Sequence, residues 1–99
     1  NFSVNRALEY LAALGYCLEI ENEYSHVVIR SSGDAVDWIK GVKGNTSARA
    51  LARELSISPA NVDFILRGER GLTIDVFLTI CNYYNAEIKF IKNEQDDES

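Results

Sequence analysis

The chain has 99 residues, of which 46% are hydrophobic, and its formal net charge is −5. This length suits one small domain around a single core, and the sequence contains neither an apolar run long enough to span a membrane nor the layout of a signal peptide, so a cytoplasmic protein is expected. Two widely separated cysteines and one histidine favour buried thiols over a disulfide framework or a zinc site.

The N-terminal segment, 1–32, is predicted to form a helix followed by a β-hairpin. Ser3 is a suitable N-cap and Gly15 a suitable end for a helix with one apolar stripe, formed by Val4, Ala7, Leu8, Leu11 and Leu14. Alternating side chains over 16–21, with Tyr16, Leu18 and Ile20 on one side, predict a half-buried strand. The run 26–30 supplies its hairpin partner.

A further helix is predicted before Gly44, with a stripe of Ala35, Trp38, Ile39 and Val42. Ser47 opens the next helix, whose inward face is Ala48, Leu51, Ala52 and Leu55. After a tight turn over 55–58, Ser58 caps a short helix that starts at Pro59. Its inward residues are Val62, Ile65 and Leu66, and the small alanines allow the two helices to cross closely.

The chain is predicted to end with a helix, a strand and an acidic tail. Thr73 caps a helix with a stripe of Ile74, Phe77, Leu78, Cys81 and Tyr84, and a strand follows over 86–91. The shift along the sequence that places Ser3 on Thr73 also places Val4, Leu8, Leu18 and Ile20 on Ile74, Leu78, Ile88 and Phe90. Either a helix–strand unit occurs twice, or two amphipathic elements are similar by chance, because almost no residues are identical.

The charge is unevenly distributed along the chain. Residues 40–70 contain six basic and three acidic residues and sum to +3, whereas 1–39 and 71–99 each sum to −4. Because charges at physiological salt act over only about 8 Å, a local cationic surface is compatible with phosphate binding by an acidic protein.

Residues 34–92 resemble the lambda-repressor-like (Xre/Cro) helix-turn-helix family, in particular its HigA-like antitoxin branch. The resemblance rests on the segment SARALARELSISPANVDFILRGERGLTIDVFLTIC, residues 47–81, with packing residues of the family at Ala52, Ile57, Val62, Ile65 and Gly68. The family commonly has glycine where this chain has Ser56, so we expect a less comfortable backbone there. Residues 2–21 resemble the last helix and strand of a second such unit, from a longer tandem protein or as its remnant.

The resemblance implies a mainly α fold with a small antiparallel sheet. The predicted organisation is an N-terminal helix and hairpin over 1–32, a helix-turn-helix domain with its C-terminal strand over 33–92, and a disordered tail over 93–99. Strands of this family pair between two chains in some members, so a homodimer through a sheet edge is expected.

Candidate DNA contacts follow from the resemblance, with residues 59–67 as the recognition helix in the major groove. The candidates for base contacts are Ser58, Ala60, Asn61, Asp63 and Phe64, and those for phosphate contacts are Lys43, Ser47, Arg49, Arg67 and Arg70. Asn61 is suited to bond adenine bidentately, whereas Asp63 repels phosphate. Each of these residues also has a plain interpretation as solvated surface, and Phe64 equally suits a protein interface.

The sequence therefore favours a sequence-specific DNA-binding regulator of the repressor or antitoxin type, whose partner is double-stranded DNA. The alternative is a non-catalytic protein-interaction module on the same scaffold, binding a partner such as a toxin. No acid–base–nucleophile arrangement, phosphate loop or metal-ligand spacing is present, so we expect neither an enzyme nor a cofactor.

Overall fold

The computed structural model describes residues 2–93, which form five helices and three strands. In chain order these are α1 (Val4–Ala13), β1 (Tyr16–Glu21), β2 (His26–Ile29), α2 (Ser32–Lys43), α3 (Ala48–Leu55), α4 (Pro59–Leu66), α5 (Ile74–Tyr83) and β3 (Glu87–Lys92). The prediction of a mainly helical chain with a small antiparallel sheet is confirmed at this level. None of the helices in this range has the length and apolar character needed to cross a membrane.

Hydroxyl side chains start four of the helices at the predicted positions. Ser3, Ser47, Ser58 and Thr73 each accept a hydrogen bond from the backbone N–H three residues later, at 3.0 to 3.4 Å. Pro59 takes the first position of α4, where no N–H is needed. Each such cap contributes about 1 kcal/mol, so these side chains fix where the helices begin.

The sheet joins the two ends of the described chain. Its strand order is β2-β1-β3 with antiparallel pairing throughout, so β1 is the central strand. Leu18 lies opposite Ile29 on one side and opposite Phe90 on the other. The predicted domain boundary at 32/33 lies in the first turn of α2, and strands from both sides of that boundary form this one sheet.

One hydrophobic core runs through all the helices and the sheet. Its least exposed members each have 2% or less of their surface accessible to solvent, and they include Val4, Ile20, Ile29, Ile39, Leu51, Leu72 and Phe77. Two residues of the predicted helical stripes are instead exposed, namely Leu14 at 71% and Leu78 at 48%. In the strands, Tyr16 is 38% exposed and Phe90 is 63% exposed. α1 ends at Ala13, so Leu14 lies beyond the helix, whereas Leu78 and Phe90 line an open groove between α1, α5 and the sheet.

The turn between α3 and α4 is short and strained at one residue. Ala52 is completely buried where α3 packs on α4, whose Val62, Ile65 and Leu66 are also buried. Ser56 adopts a left-handed conformation, with φ 58° and ψ 42°, and the Ile57 N–H donates to the Ala52 carbonyl at 2.9 Å. The expected backbone strain at Ser56 is confirmed, since only glycine adopts this conformation without cost.

The predicted tail begins one residue too early. The backbone N–H of Asn93 donates to the carbonyl of Gly15 at 2.7 Å, so Asn93 is attached to the turn after α1. The remainder of the predicted tail, residues 94–99, lies outside the described residues.

Candidate nucleic-acid interface

The outer face of α4 is formed by the residues predicted for base contacts. Ala60 and Asp63 are exposed, while Asn61 and Phe64 are half-buried. Ser58 is exposed as well, but its hydroxyl oxygen accepts the Asn61 backbone N–H at 3.3 Å as part of the helix cap. The face therefore presents a mixture of small, polar and acidic side chains to solvent.

Phe64 is the centre of a compact group of charged and polar side chains. The guanidinium carbons of Arg67 and Arg70 lie 5.4 and 5.1 Å from the centroid of its ring, within the range of a cation–π interaction. The backbone N–H groups of Glu69 and Arg70 both donate to the Phe64 carbonyl, at 2.8 and 3.2 Å. We call this group the Phe64 cluster, comprising Asn61, Asp63, Phe64, Arg67, Glu69 and Arg70.

Phe64 lies on the outer face of α4, as expected for a candidate contact residue, but its side chain is half-buried and not fully exposed. The two arginines cover part of its ring, and the turn after α4 folds back over its backbone. A partner that approaches this surface therefore meets guanidinium groups before it meets the ring.

Arg67 is engaged by two carboxylates. Its Nη2 lies 2.9 Å from Asp63 Oδ2, one helical turn back, and its Nη1 lies 3.5 Å from Glu69 Oε2. All three side chains are about half exposed, so each pair is screened by water and is worth at most about 0.5 kcal/mol. The Phe64 cluster is thus electrically neutral as it stands, and a phosphate must compete with weak internal pairs for Arg67.

Arg70 is bound to the residue that is predicted to read a base. Its Nη1 donates to Asn61 Oδ1 at 2.7 Å. This contact turns the amide so that its NH2 group is the free donor, while Oδ1 keeps one further lone pair as an acceptor. Bidentate bonding to adenine uses both atoms, so Arg70 orients the amide without blocking that contact.

A second set of cations lies at the start of α3. Lys43 Nζ donates to the Thr46 carbonyl at 2.9 Å, next to the exposed N-cap Ser47. Arg49 lines a shallow cleft of about 370 Å³ together with Pro59, Ala60 and Asp63. Within residues 2–93, neither Lys43 nor Arg49 forms an ion pair. The structure therefore brings Arg49 to the N-terminal end of α4 and leaves its charge available.

The contacts within the Phe64 cluster were not predicted from the sequence, although the sequence itself indicates one of them. Asp63 and Arg67 stand four residues apart on a helix, a spacing that itself indicates an ion pair. The contacts of Glu69 and Arg70 had no such signal. They depend on the path of the turn after α4, where Gly68 has a φ of 78°.

Another group of titratable side chains lies on the sheet, away from α4. Glu19, Glu21 and His26 are close together, with His26 in contact with Glu19. Lys89 Nζ lies 2.9 Å from Glu21 Oε1, and this contact lowers the pKa of Glu21 and raises the pKa of Lys89. The group links β1 to β2 through the Glu19–His26 contact and β1 to β3 through the Glu21–Lys89 ion pair.

Comparison with known proteins gives one partial similarity. The chain is 37% identical over 49 residues to Virulence-associated protein I of Dichelobacter nodosus, an alignment that covers 50% of this chain and 45% of that protein. The chain thus matches less than half the length of that relative. No protein-family profile matches the chain, and no solved structure gives a significant match.

Proposed function

We propose that the protein is a sequence-specific DNA-binding transcriptional regulator of the repressor or antitoxin type. In this proposal α3 and α4 form a lambda-repressor-like helix-turn-helix, and residues 59–67 enter the major groove. The observation that carries it is the solvent-exposed part of the outer face of α4, with exposed arginines at both ends, Arg49 at the N-terminal end and Arg67 and Arg70 at the C-terminal end.

The packing of α4 supports this role. Its apolar side, formed by Val62, Ile65 and Leu66, is buried against the core, which fixes the direction of the opposite side. That opposite side carries Asn61, whose amide is held by Arg70. A preoriented amide on a rigid helix loses little conformational entropy on binding a base edge.

The charges around α4 indicate modest and salt-sensitive binding. Lys43 and Arg49 can contact phosphates directly, whereas Arg67 must first exchange Asp63 and Glu69 for a phosphate. Asp63 also repels the DNA backbone. Removal of a positive charge and removal of a negative charge from this face are therefore predicted to have opposite effects on DNA affinity.

We expect Arg49→Gln to weaken binding to DNA from the protein's own promoter region, and Asp63→Asn to strengthen it. The slope of log affinity against log salt is negative; removal of one phosphate contact reduces its magnitude by about 1, and release of Arg67 from Asp63 increases its magnitude by up to about 1. The measurement is fluorescence anisotropy of labelled duplex over a series of salt concentrations.

Matched controls change the net charge equally at other places. Arg6→Gln on α1 and Glu23→Gln in the β1–β2 turn are both at exposed positions, and neither should change the slope. If the controls act as strongly as the α4 variants, or if no variant depends on salt, α4 is not the surface that binds DNA.

A second candidate function is protein interaction on the same scaffold, for example neutralisation of a toxin. The observation that favours it is the internal pairing of the Phe64 cluster, which leaves few free groups to read bases. The test is reconstitution with the product of the neighbouring reading frame. A complex that resists nuclease and is lost in Phe64→Asp supports this function, and retention of the complex in Phe64→Asp argues against it.

A further inference from the structure

The two helix–strand units, related by the shift that places Ser3 on Thr73, have the same local geometry. α1 spans Val4–Ala13 and α5 spans Ile74–Tyr83, so both helices start and end at equivalent positions. The residue at the following turn has positive φ in both, at 88° for Gly15 and 58° for Asn85. Equal lengths, caps and turns are not expected of two unrelated amphipathic elements.

The two units also contact each other symmetrically at the start of their helices. The Val4 N–H donates to the Leu72 carbonyl at 2.8 Å, and the Ile74 N–H donates to the Phe2 carbonyl at 2.8 Å. Exchanging each residue for its equivalent in the other unit converts each of these bonds into the other. Ser3 and Thr73, which are equivalent residues, form the isolated antiparallel β-bridge that these two hydrogen bonds flank.

The strands repeat this pattern. Leu18 lies opposite Phe90 and Ile20 lies opposite Ile88, and the same exchange converts one pair into the other. Glu19 and Lys89, again equivalent, lie directly opposite each other at the centre. A contact in which the exchange of equivalent residues converts the pairs into one another is the arrangement of a twofold interface between two copies.

We propose that the α5–β3 unit is a self-pairing twofold surface, and that residues 2–21 fill within the chain the place of a second copy's α5–β3 unit. The chain is thus closed on itself at this surface, and does not form a homodimer through it. This proposal does not depend on DNA binding.

Lys89 favours the internal partner over a second copy. In a homodimer through this surface Lys89 would lie opposite its own counterpart, and like charges directly opposite each other are destabilising. The ion pair with Glu21 would also be lost, because the residue equivalent to Glu21 is Ile91. Covalent linkage adds to this preference, since a tethered partner has a high effective concentration.

Cysteine crosslinking of the full chain tests the internal pairing. Ser3 and Thr73 form a pair that is flanked by its hydrogen bonds, an antiparallel geometry that brings Cα atoms to about 4.5 Å and suits a disulfide. We expect S3C/T73C to form a bond within one chain, identified by peptide mapping, and T73C alone to form no covalent dimer. A covalent dimer from either variant, or a double variant that stays reduced, overturns the proposal.

A cleavable turn tests the self-pairing. A protease site inserted at Glu23–Tyr24, which are exposed, allows residues 1–23 to be released from an intact folded protein carrying T73C. After cleavage and removal of the peptide, we expect two copies of the remaining chain, residues 24–99, to crosslink through the thiol introduced at position 73. Lys89→Thr should raise the yield, and added 1–23 peptide should suppress it. Thr79→Cys is the matched control. Thr79 is exposed on α5 but is not among the residues that pair between the two units, so we expect its thiol to form no crosslink.

Failure of the T73C variant to crosslink after cleavage overturns the self-pairing, because the proposal requires the α5–β3 unit of a second copy to take the place of residues 2–21 and restore the folded sheet. Equal crosslinking of the T79C control also overturns it, because nonspecific association would then explain the result. Neither outcome bears on the salt-dependence test of DNA binding, so the two proposals fail separately.

Discussion

Cys81 is a buried thiol in the last turn of α5, with 2% of its surface exposed. Burial raises its pKa to about 12 from the usual value of 9.0. In the unfolded chain the thiol ionises near its usual pKa, so above about pH 9 the unfolded state binds fewer protons than the folded state. We therefore expect the free energy of unfolding to fall as pH rises from 9, by up to about 1.4 kcal/mol per pH unit from this group.

The measurement is urea unfolding at pH 8 and pH 10, with Cys81→Val as the test variant. The variant should lose less stability between the two pH values than the original chain. Ile80→Val, which truncates a neighbouring buried side chain without removing a titrating group, should keep the original pH dependence. An equal loss in all three proteins would assign the alkaline sensitivity to other groups.

Residue-scale expectations from the sequence were most accurate where the cause is local. The N-caps at Ser47 and Ser58 depend on one hydroxyl and the next three residues, and both are confirmed. Burial at Leu78 and Phe90 depends on what lies opposite them, and the sequence could not show that α1 and α5 leave a groove open between them.

At the scale of elements, the α3–α4 turn has a residue that is poorly suited to its conformation. Ser56 is left-handed, and a non-glycine residue there costs roughly 1–2 kcal/mol. We expect Ser56→Gly to raise the free energy of unfolding by about 1 kcal/mol, less any gain in entropy of the unfolded chain. Asn85→Gly is the matched control, since Asn tolerates the same φ of 58° better.

Thermal and urea unfolding of both variants check this prediction. A gain at Ser56 that exceeds the gain at Asn85 supports strain in the turn. An absent gain would show that Ser56 is accommodated without cost, and equal gains would show that Ser56 is no more strained than Asn85. DNA affinity measured alongside would show whether relaxation of the turn changes the presentation of α4.

The positions of α3 and α4 in the sequence were predictable because the apolar spacing, the caps and Pro59 all indicate the same two short helices. The Phe64 cluster was not, because its contacts depend on side-chain directions after α4 ends. Arg70 lies well beyond Asn61 in the sequence and reaches it through a turn whose path no periodicity encodes. The contacts of Glu69 and Arg70 were therefore not foreseen, whereas the i,i+4 spacing of Asp63 and Arg67 does indicate their ion pair.

At the scale of the whole molecule, the sheet makes the N-terminal segment part of one structure. β1 is the central strand, and of its two partners β2 follows it directly in sequence, whereas β3 lies at the opposite end of the described chain. The sequence suggested a separate first unit over 1–32. Long-range strand pairing of this kind leaves no local signal beyond the alternation of each strand.

We expect the described chain to unfold in a single transition, so that a substitution in β1 destabilises α4, which lies far from β1 in sequence. Ile20 is completely buried, and Ile20→Val should lower the free energy of unfolding by about 1 kcal/mol. Trp38 fluorescence, which reports on α2, and amide hydrogen exchange at Leu66 in α4 should both report that same loss. Leu14→Ala, in the same segment but 71% exposed, should leave both unchanged. If Ile20→Val alters neither probe, residues 2–21 form an appendage whose folding is separate from α4. An equal loss at both probes instead makes the paired helix–strand units a structural support for α4, since the core that holds α4 then depends on β1.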